Sequence, residues 1–261
     1  MSKLVIFADY GLDDACATAY ILQNRERWDR IDIAPIGGNV AADRALCNAK
    51  KLIAAAQADG LPVNGITLVD TTALPQPSCP LPDVHGGDGM GDLLSTGSLP
   101  PVAETPYGAW VKTLTGEYTV LSLGPATVPV RALADAPELP HGDIVIMGGC
   151  NRAEPNYNGY EFNDGLDHAA FVRLLEYPHV CATLDSCRDP AFNYIEKRFS
   201  PDRLLGRLMN RSVELAAARH GDRCYIYDYI AALALCDPER FAVENVPQKS
   251  GGIMRELWYR Q

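Results

Sequence analysis

The 261-residue chain has no C-x-x-C pair, no apolar run near the roughly 18 residues that suggest a membrane span, and no clustered lysine and arginine. Its eight cysteines stand singly at positions 16, 47, 79, 150, 181, 187, 224 and 236, so reduced thiols are expected, several of them core filler. With 33 acidic against 23 basic residues the formal net charge is -10. That balance disfavours nucleic acid as a partner, because phosphate binding rests on clustered cations. No secretory signal precedes Leu4, and the expected place is the cytoplasm, away from membranes.

What is present is an ordinary globular composition, 47% hydrophobic, with no internal repeat or linker, so one domain over 1–261 is expected. Short Val- and Ile-rich runs recur at Leu4–Ala8, Ile31–Ile36, Thr119–Leu123, Asp143–Met147 and Val180–Leu184. Segments with helical spacing lie between them: Ala15, Ala19 and Leu22; Leu46, Lys50, Ile53 and Ala54; and Leu166–Glu176. The alternation predicts an α/β fold, an open, mostly parallel sheet with helices on both faces. The stretch Thr72–Pro101, with prolines at 75, 77, 80, 82, 100 and 101, reads as one long loop, and the His85-Gly86-Gly87-Asp88-Gly89 inside it suggests a functional lid.

Ligands of such sheets sit beyond the carboxyl ends of parallel strands. The first run ends in Asp9-Tyr10-Gly11-Leu12-Asp13-Asp14, and later ones in Gly37-Gly38-Asn39, Gly124-Pro125-Ala126-Thr127 and Gly148-Gly149-Cys150-Asn151. Three carboxylates within six residues repel one another unless a cation or strong donors compensate. Asp13 or Asp14 can also cap the following helix, which needs only one of them. Hard oxygen donors without a nearby His or Cys favour Ca²⁺ or Mg²⁺ over Zn²⁺. A backbone carbonyl in the turn Gly124–Thr127 and Asp228, ahead of the apolar stretch Ile230–Leu235, are candidates to complete the set; Asp228 also reads as a helix cap. A second constellation, Asn156, Asn158, Glu161, Asn163, Asp164 and Asp167, suits a ligand with vicinal hydroxyls, or else forms an Asx-rich turn before a helix.

Taken in order, these motifs resemble the nucleoside hydrolases, the inosine-uridine-preferring N-ribohydrolases. Phe7-Ala8-Asp9-Tyr10-Gly11-Leu12-Asp13-Asp14-Ala15 is similar to the family's D-x-D-P-G-x-D-D-A, Gly38-Asn39-Val40 to G-N-V, and His85-Gly86 with Gly89 and Gly91 to H-G-x-x-G-x-G. Leu123-Gly124-Pro125-Ala126-Thr127 is similar to L-G-P-L-T, Met147-Gly148-Gly149 to M-G-G, Glu161-Phe162-Asn163 to E-F-N, and Tyr227-Asp228 with Asp237-Pro238 to H-D and D-P. Each motif alone is weak, but seven in register from Val5 to about Glu239 are specific. The resemblance implies Ca²⁺ held by Asp9, Asp14, the Thr127 carbonyl and Asp228, and Asp9 as the base toward the attacking water. It implies ribose held by Asp13, Asn39, Asn156, Glu161 and Asn163, with His85 and Met147 at the substrate, and a homodimer or homotetramer. The reaction implied is hydrolysis of a small-molecule nucleoside to free base and ribose, in purine or pyrimidine salvage. Carboxylates around the sugar suit the oxocarbenium-like ribosyl through which an N-glycosidic bond breaks.

Departures fall on the base side and the first motif. Tyr227 stands where many members have His; a phenol with reference pKa of about 10 is a weak acid at neutral pH, so Tyr227 either protonates the leaving base or stacks and packs. His85 and His168 are other donors, and Tyr107, Trp110, Tyr157, Tyr160 and Tyr225 other stacking partners. Phe7 replaces the signature's first Asp, which implies a lost polar contact near the metal, and Tyr10 replaces its Pro, freeing a ring to reach the site. The chain ends 261 - 228 = 33 residues after Asp228, which implies that C-terminal lid or sheet-edge structure is missing. Two other readings stay open: a hydrolase of another N-ribosyl compound, and a ribose or nucleoside binding protein with weakened catalysis. A strand-end Asp phosphotransferase leaves the later motifs unexplained.

Overall fold

The computed structural model describes residues 2–94, 102–140, 142–219, 221–248 and 252–260. Nine strands form one sheet: β1 (Lys3–Ala8), β2 (Arg30–Pro35), β3 (Ile66–Asp70), β4 (Ala103–Pro106), β5 (Thr119–Ser122), β6 (Ile144–Met147), β7 (His179–Ala182), β8 (Phe241–Pro247) and β9 (Ile253–Tyr259). Their spatial order is β4-β3-β2-β1-β5-β6-β7-β9-β8, and every neighbouring pair is parallel except β8 with β9. The near-continuous apolar sequence of β1 follows from burial on both faces. Leu4, Ile6 and Ala8 join one core cluster and Val5 and Phe7 the other. The helices Leu12–Gln23, Ala42–Ala58, Leu204–Arg219 and Tyr227–Cys236 supply the first cluster, and Tyr107–Val111, Thr127–Asp135 and His168–Leu174 the second.

From β1 the chain winds outward to β4, then crosses back to place β5 on the other side of β1. The carboxyl ends of β1 and β5 therefore flank the switch point, where a crevice opens between divergent connections. The first acidic motif follows β1 directly, so topology alone brings it there.

Several elements differ from the sequence reading. β3, β4, β8 and β9 were not anticipated: β4 reads Ala-Glu-Thr-Pro, and β8 exposes four consecutive side chains, so neither shows an apolar run. The run ending at Leu184 stops as a strand at Ala182, because Thr183 caps the helix Leu184–Cys187, its hydroxyl accepting from Ser186 N while Ser186 Oγ accepts from Thr183 N. The expected helix Leu166–Glu176 is two, Phe162–Leu166 and His168–Leu174, broken at Asp167, whose carboxylate accepts from Ala170 N at 3.1 Å. Within Thr72–Pro101 a short helix, Pro82–His85, starts on a proline whose missing N–H costs nothing there; residues 95–101, with Pro100 and Pro101, lie outside the described residues. The chain beyond Asp228 forms one margin of the sheet. β8 and β9 pair from Phe241↔Tyr259 to Pro247↔Ile253, and β9 docks on β7 through Cys181↔Glu256. All eight cysteines are free, five of them buried. Among the described residues no helix is long and apolar enough to cross a membrane.

Candidate active site

The turn after β1 is built by its own side chains. Asp14, in the first turn of the helix Leu12–Gln23, accepts from Asp9 N at 3.1 Å and from Gly11 N at 2.8 Å, so the capping role open to Asp13 or Asp14 falls to Asp14. Asp9 lies fully buried between β1 and the loop after β2. Its two oxygens accept from Asn39 N at 2.7 Å and Asn39 Nδ2 at 2.9 Å. Such contact requires Gly38: a Cβ there would sit 1.9 Å from Asp9 Oδ2.

Tyr10 holds φ at +44°, a left-handed conformation that proline's ring forbids. Its ring does not reach the site, contrary to expectation. It is buried in the core, with Oη 3.5 Å from Thr18 Oγ1. Phe7 likewise turns away, edge-on to Trp110 at 6.3 Å across the opposite core cluster, so no polar side chain stands there.

Asp228, in the first turn of the helix Tyr227–Cys236, brings a fourth carboxylate to this turn. One oxygen from each of Asp13, Asp14 and Asp228 lies within 4.8 Å of the others. Burial holds Asp14 and Asp228 well above the usual carboxylate range, reinforced for Asp14 by the charges of Asp228 and Asp9, and for Asp228 by those of Asp13 and Asp9. Burial pushes Asp9 up to about 7, against the lowering by its hydrogen bonds to Asp14 and Asn39. Asp13 Oδ1 is buried without a hydrogen-bond partner. His85 Nδ1 is 3.5 Å from it but accepts from Leu12 N at 3.0 Å and so carries no proton to offer, and burial lowers the His85 pKa. Carboxylate oxygens gathered within 4.8 Å, two of them on carboxyls that burial disfavours as anions, fit a hard divalent cation, which takes oxygen donors of this kind.

The sugar-type loop is anchored to the ends of β5 and β6. Glu161 accepts from Asn163 N and Asp164 N at 3.0 Å and from Gly149 N at 3.1 Å, and Asn163 Nδ2 donates to the carbonyls of Leu123 at 2.9 Å and Met147 at 3.2 Å. Burial still raises Glu161 to about 7. The loop tip is an Asn158-Gly159 turn with φ of +47° and +85°, closed by Tyr157 and Tyr160.

A cavity of about 510 Å³ opens over this floor. Asp13, Asn39, His85, Met147, Asn156, Glu161, Asn163, Tyr227 and Asp228 all line it. Of the remaining expected residues, Asp9 lies behind Asn39 and Asp14 behind the turn it caps. Thr127 opens the helix Thr127–Asp135, its hydroxyl donating to Asp167 Oδ2 at 2.6 Å. Tyr157 and Tyr225 line the cavity beside Tyr227. Tyr107 and Trp110 do not: their polar atoms bond Asp135 and Asp32 in the other core cluster. His168 pairs with Asp164 at 2.6 Å and packs on Tyr160, outside the cavity.

Sequence reasoning missed Arg188, Arg219 and Arg223 in the cavity wall. Arg188 Nε donates to Tyr227 Oη at 3.4 Å and Nη1 to the Glu154 carbonyl at 3.0 Å. A signal existed for Arg188, since it stands just beyond the run at Val180–Leu184, where strand-end residues are informative. Burial raises Tyr227 above its ordinary pKa despite the Arg188 guanidinium, so the phenol keeps its proton at neutral pH.

A doubly wound sheet that gathers carboxylates and a sugar-type loop at its switch point defines an α/β enzyme acting on a small polyhydroxylated ligand. The chain belongs to the inosine-uridine preferring nucleoside hydrolase family, whose model matches residues 4–255, and it is an N-ribosyl hydrolase. Its fold is shared with solved structures. A purine-preferring ribonucleoside hydrolase from Gardnerella vaginalis is 22% identical, with a TM-score of 0.73 over 99% of this chain and 88% of that one. An inosine-uridine preferring nucleoside hydrolase from Bacillus anthracis is 18% identical, with a TM-score of 0.69 over 100% and 95%. An inosine-guanosine nucleoside hydrolase is 22% identical, with a TM-score of 0.68 over 100% and 89%. No curated protein matches the chain by sequence.

Proposed function

We propose that this chain hydrolyses the N-glycosidic bond of ribonucleosides to free base and ribose at the β1/β5 switch point, with Ca²⁺ as cofactor. The observation that carries the reading is the joining, in one cavity, of Asp13 and Asp228, which cluster with Asp14 behind them, with the anchored pair Glu161 and Asn163. Asp9, Asp14, Asp228 and the Thr127 carbonyl are the residues proposed to hold the ion. When bound, calcium supplies positive charge that keeps these carboxyls ionised and orients hydroxyls and water. Asp9 is the proposed general base: once ionised, it takes the proton of the attacking water. Asp13 Oδ1, buried and unpartnered, suits a ribose hydroxyl as donor, and Asn39, Asn156, Glu161 and Asn163 hold the other hydroxyls while His85 and Met147 close the wall. Their negative oxygens favour the oxocarbenium-like ribosyl.

Tyr227 is the proposed proton donor to the leaving base, polarised by Arg188. Tyr227→Phe is expected to slow natural nucleosides by about tenfold to a hundredfold, yet to leave an activated aryl riboside, which departs without protonation, nearly unaffected. Steady-state kcat on both substrates checks this; equal slowing assigns Tyr227 to packing. The protein is proposed to work as one domain, in the cytoplasm, as a homodimer or homotetramer, in purine or pyrimidine salvage.

Incubation with Ca²⁺ and a panel of purine, pyrimidine and other N-ribosyl compounds, with released reducing sugar as readout, tests the whole reading. Release from nucleosides that EGTA abolishes is the expected result. Calorimetric nucleoside binding with no release from any compound would establish a binding protein instead.

A further inference from the structure

The cavity is electrically two-ended. Its floor carries Asp13, Glu161 and Asp228, while its wall beside Tyr225 and Tyr227 carries Arg188, Arg219 and Arg223. Three guanidinium groups around one opening run against a composition with ten more acidic than basic side chains (33 - 23). Their charges are also poorly met from within. The hydrogen bonds of Arg188 go to a phenol and a carbonyl, both neutral. Arg219 has no ion-pair partner among the described residues, and Arg223 has only its exposed neighbour Asp222 at 3.9 Å. One acidic residue, Glu154, lines the same wall, and its side chain is exposed. The field of Arg219 reaches inward, since it helps hold the His85 pKa down.

The floor matches a ribose, which is neutral, and a neutral base leaves the arginines without a counterpart. We propose that this wall receives an anionic group carried by the substrate outside its ribose ring, so that N-ribosyl compounds bearing a carboxylate or a phosphate are the preferred class. The inference rests on the hydrolase reading of the floor and adds the charge of the substrate to it. Arginine suits either anion, because its planar fork donates two parallel hydrogen bonds to carboxylate or phosphate oxygens. The two sources differ in where the charge sits, on the leaving base or on the ribose 5′ oxygen.

Uridine, orotidine and uridine 5′-monophosphate separate them, since the last two add one anionic group to the first at these two places. Their kcat/KM values are measured with Ca²⁺ for the wild type and for Arg219→Gln/Arg223→Gln, whose altered side chains are exposed and whose fold is checked by circular dichroism. The expected result is a preference over uridine of at least about tenfold for one anionic compound, the value of one charge-assisted contact. That ratio is expected to fall toward one in the double variant and at high salt, where screening shortens the Debye length to about 3 Å at 1 M. A preference for orotidine alone places the anion on the base, and for the monophosphate alone on the sugar. Ratios at or below one for both compounds, or a preference that the double variant retains, overturn the proposal. Turnover of none of the three tells against the hydrolase reading instead, and the same ratios taken from calorimetric affinities then decide the arginine proposal on its own.

Discussion

Asp9→Asn is expected to lower kcat by about 10²–10⁴-fold, the usual worth of a positioned general base, while leaving the fold and much of the sugar binding in place. The substitution removes a proton acceptor but nearly preserves volume. It does turn one oxygen into a donor facing Asn39, whose N and Nδ2 both donate to Asp9 at 2.7 and 2.9 Å, so a modest loss of stability accompanies it. Single-turnover release of base, with nucleoside affinity measured by calorimetry, separates chemistry from binding. A kcat within a few-fold of wild type would remove Asp9 from the role of base and leave it as a support for the loop after β2.

Cation loading is expected to have the next largest effect, and a defined pH dependence. Burial raises Asp9 to about 7 and Asp14 and Asp228 well above their ordinary value of 3.8. A carboxyl whose pKa is raised by folding contributes stability that is fully present below the unfolded value and is lost as pH rises through the folded one. The ion-free protein should therefore lose stability from about pH 4 to pH 7 and above. Calcium replaces the protons that leave, so its effect grows over the same window. At pH 8 and a hundredfold excess over Kd, binding contributes about 2.7 kcal/mol, a rise in Tm of roughly 5–10 °C for a chain of this size. At pH 5 protons compete and the shift shrinks toward zero. Thermal melts with Ca²⁺ and with EGTA at both pH values check this. No shift at pH 8, together with turnover indifferent to EGTA, would sink the cation reading.

The central strands were legible because a parallel strand buried on both faces is dominated by apolar residues, as β1, β5, β6 and β7 are and as β2 is apart from Arg30 and Asp32. Strands at the sheet margin escape that demand. β4 holds Glu104 and ends in Pro106, and β8 meets solvent along most of its length, so neither announces itself. In the site, residues near one another in the chain or at strand ends were readable: Asp9, Asp13 and Asp14 within six residues, Glu161 and Asn163 within three. The arginine wall was less so, because Arg188 lies far along the chain from Arg219 and Arg223; Arg188 follows a strand run, but Arg219 and Arg223 resemble solvated surface residues. Tyr10 was misplaced for a different reason. Its left-handed backbone swings the ring inward, and nothing in the sequence specifies that sign of φ for a tyrosine.

The Tyr10 turn has a mechanical consequence. A non-glycine residue in this conformation stores about 1–2 kcal/mol of strain, and carboxylates gathered at the same turn push it open when no counter-charge is present. Glycine would relieve the strain but leave the turn free to flex with that repulsion. The buried tyrosine ring, wedged beside Thr18, acts instead as a ballast that holds the turn in its loaded shape. A counter-ion and substrate bound as proposed would thus meet a socket whose backbone the packed ring already holds in place.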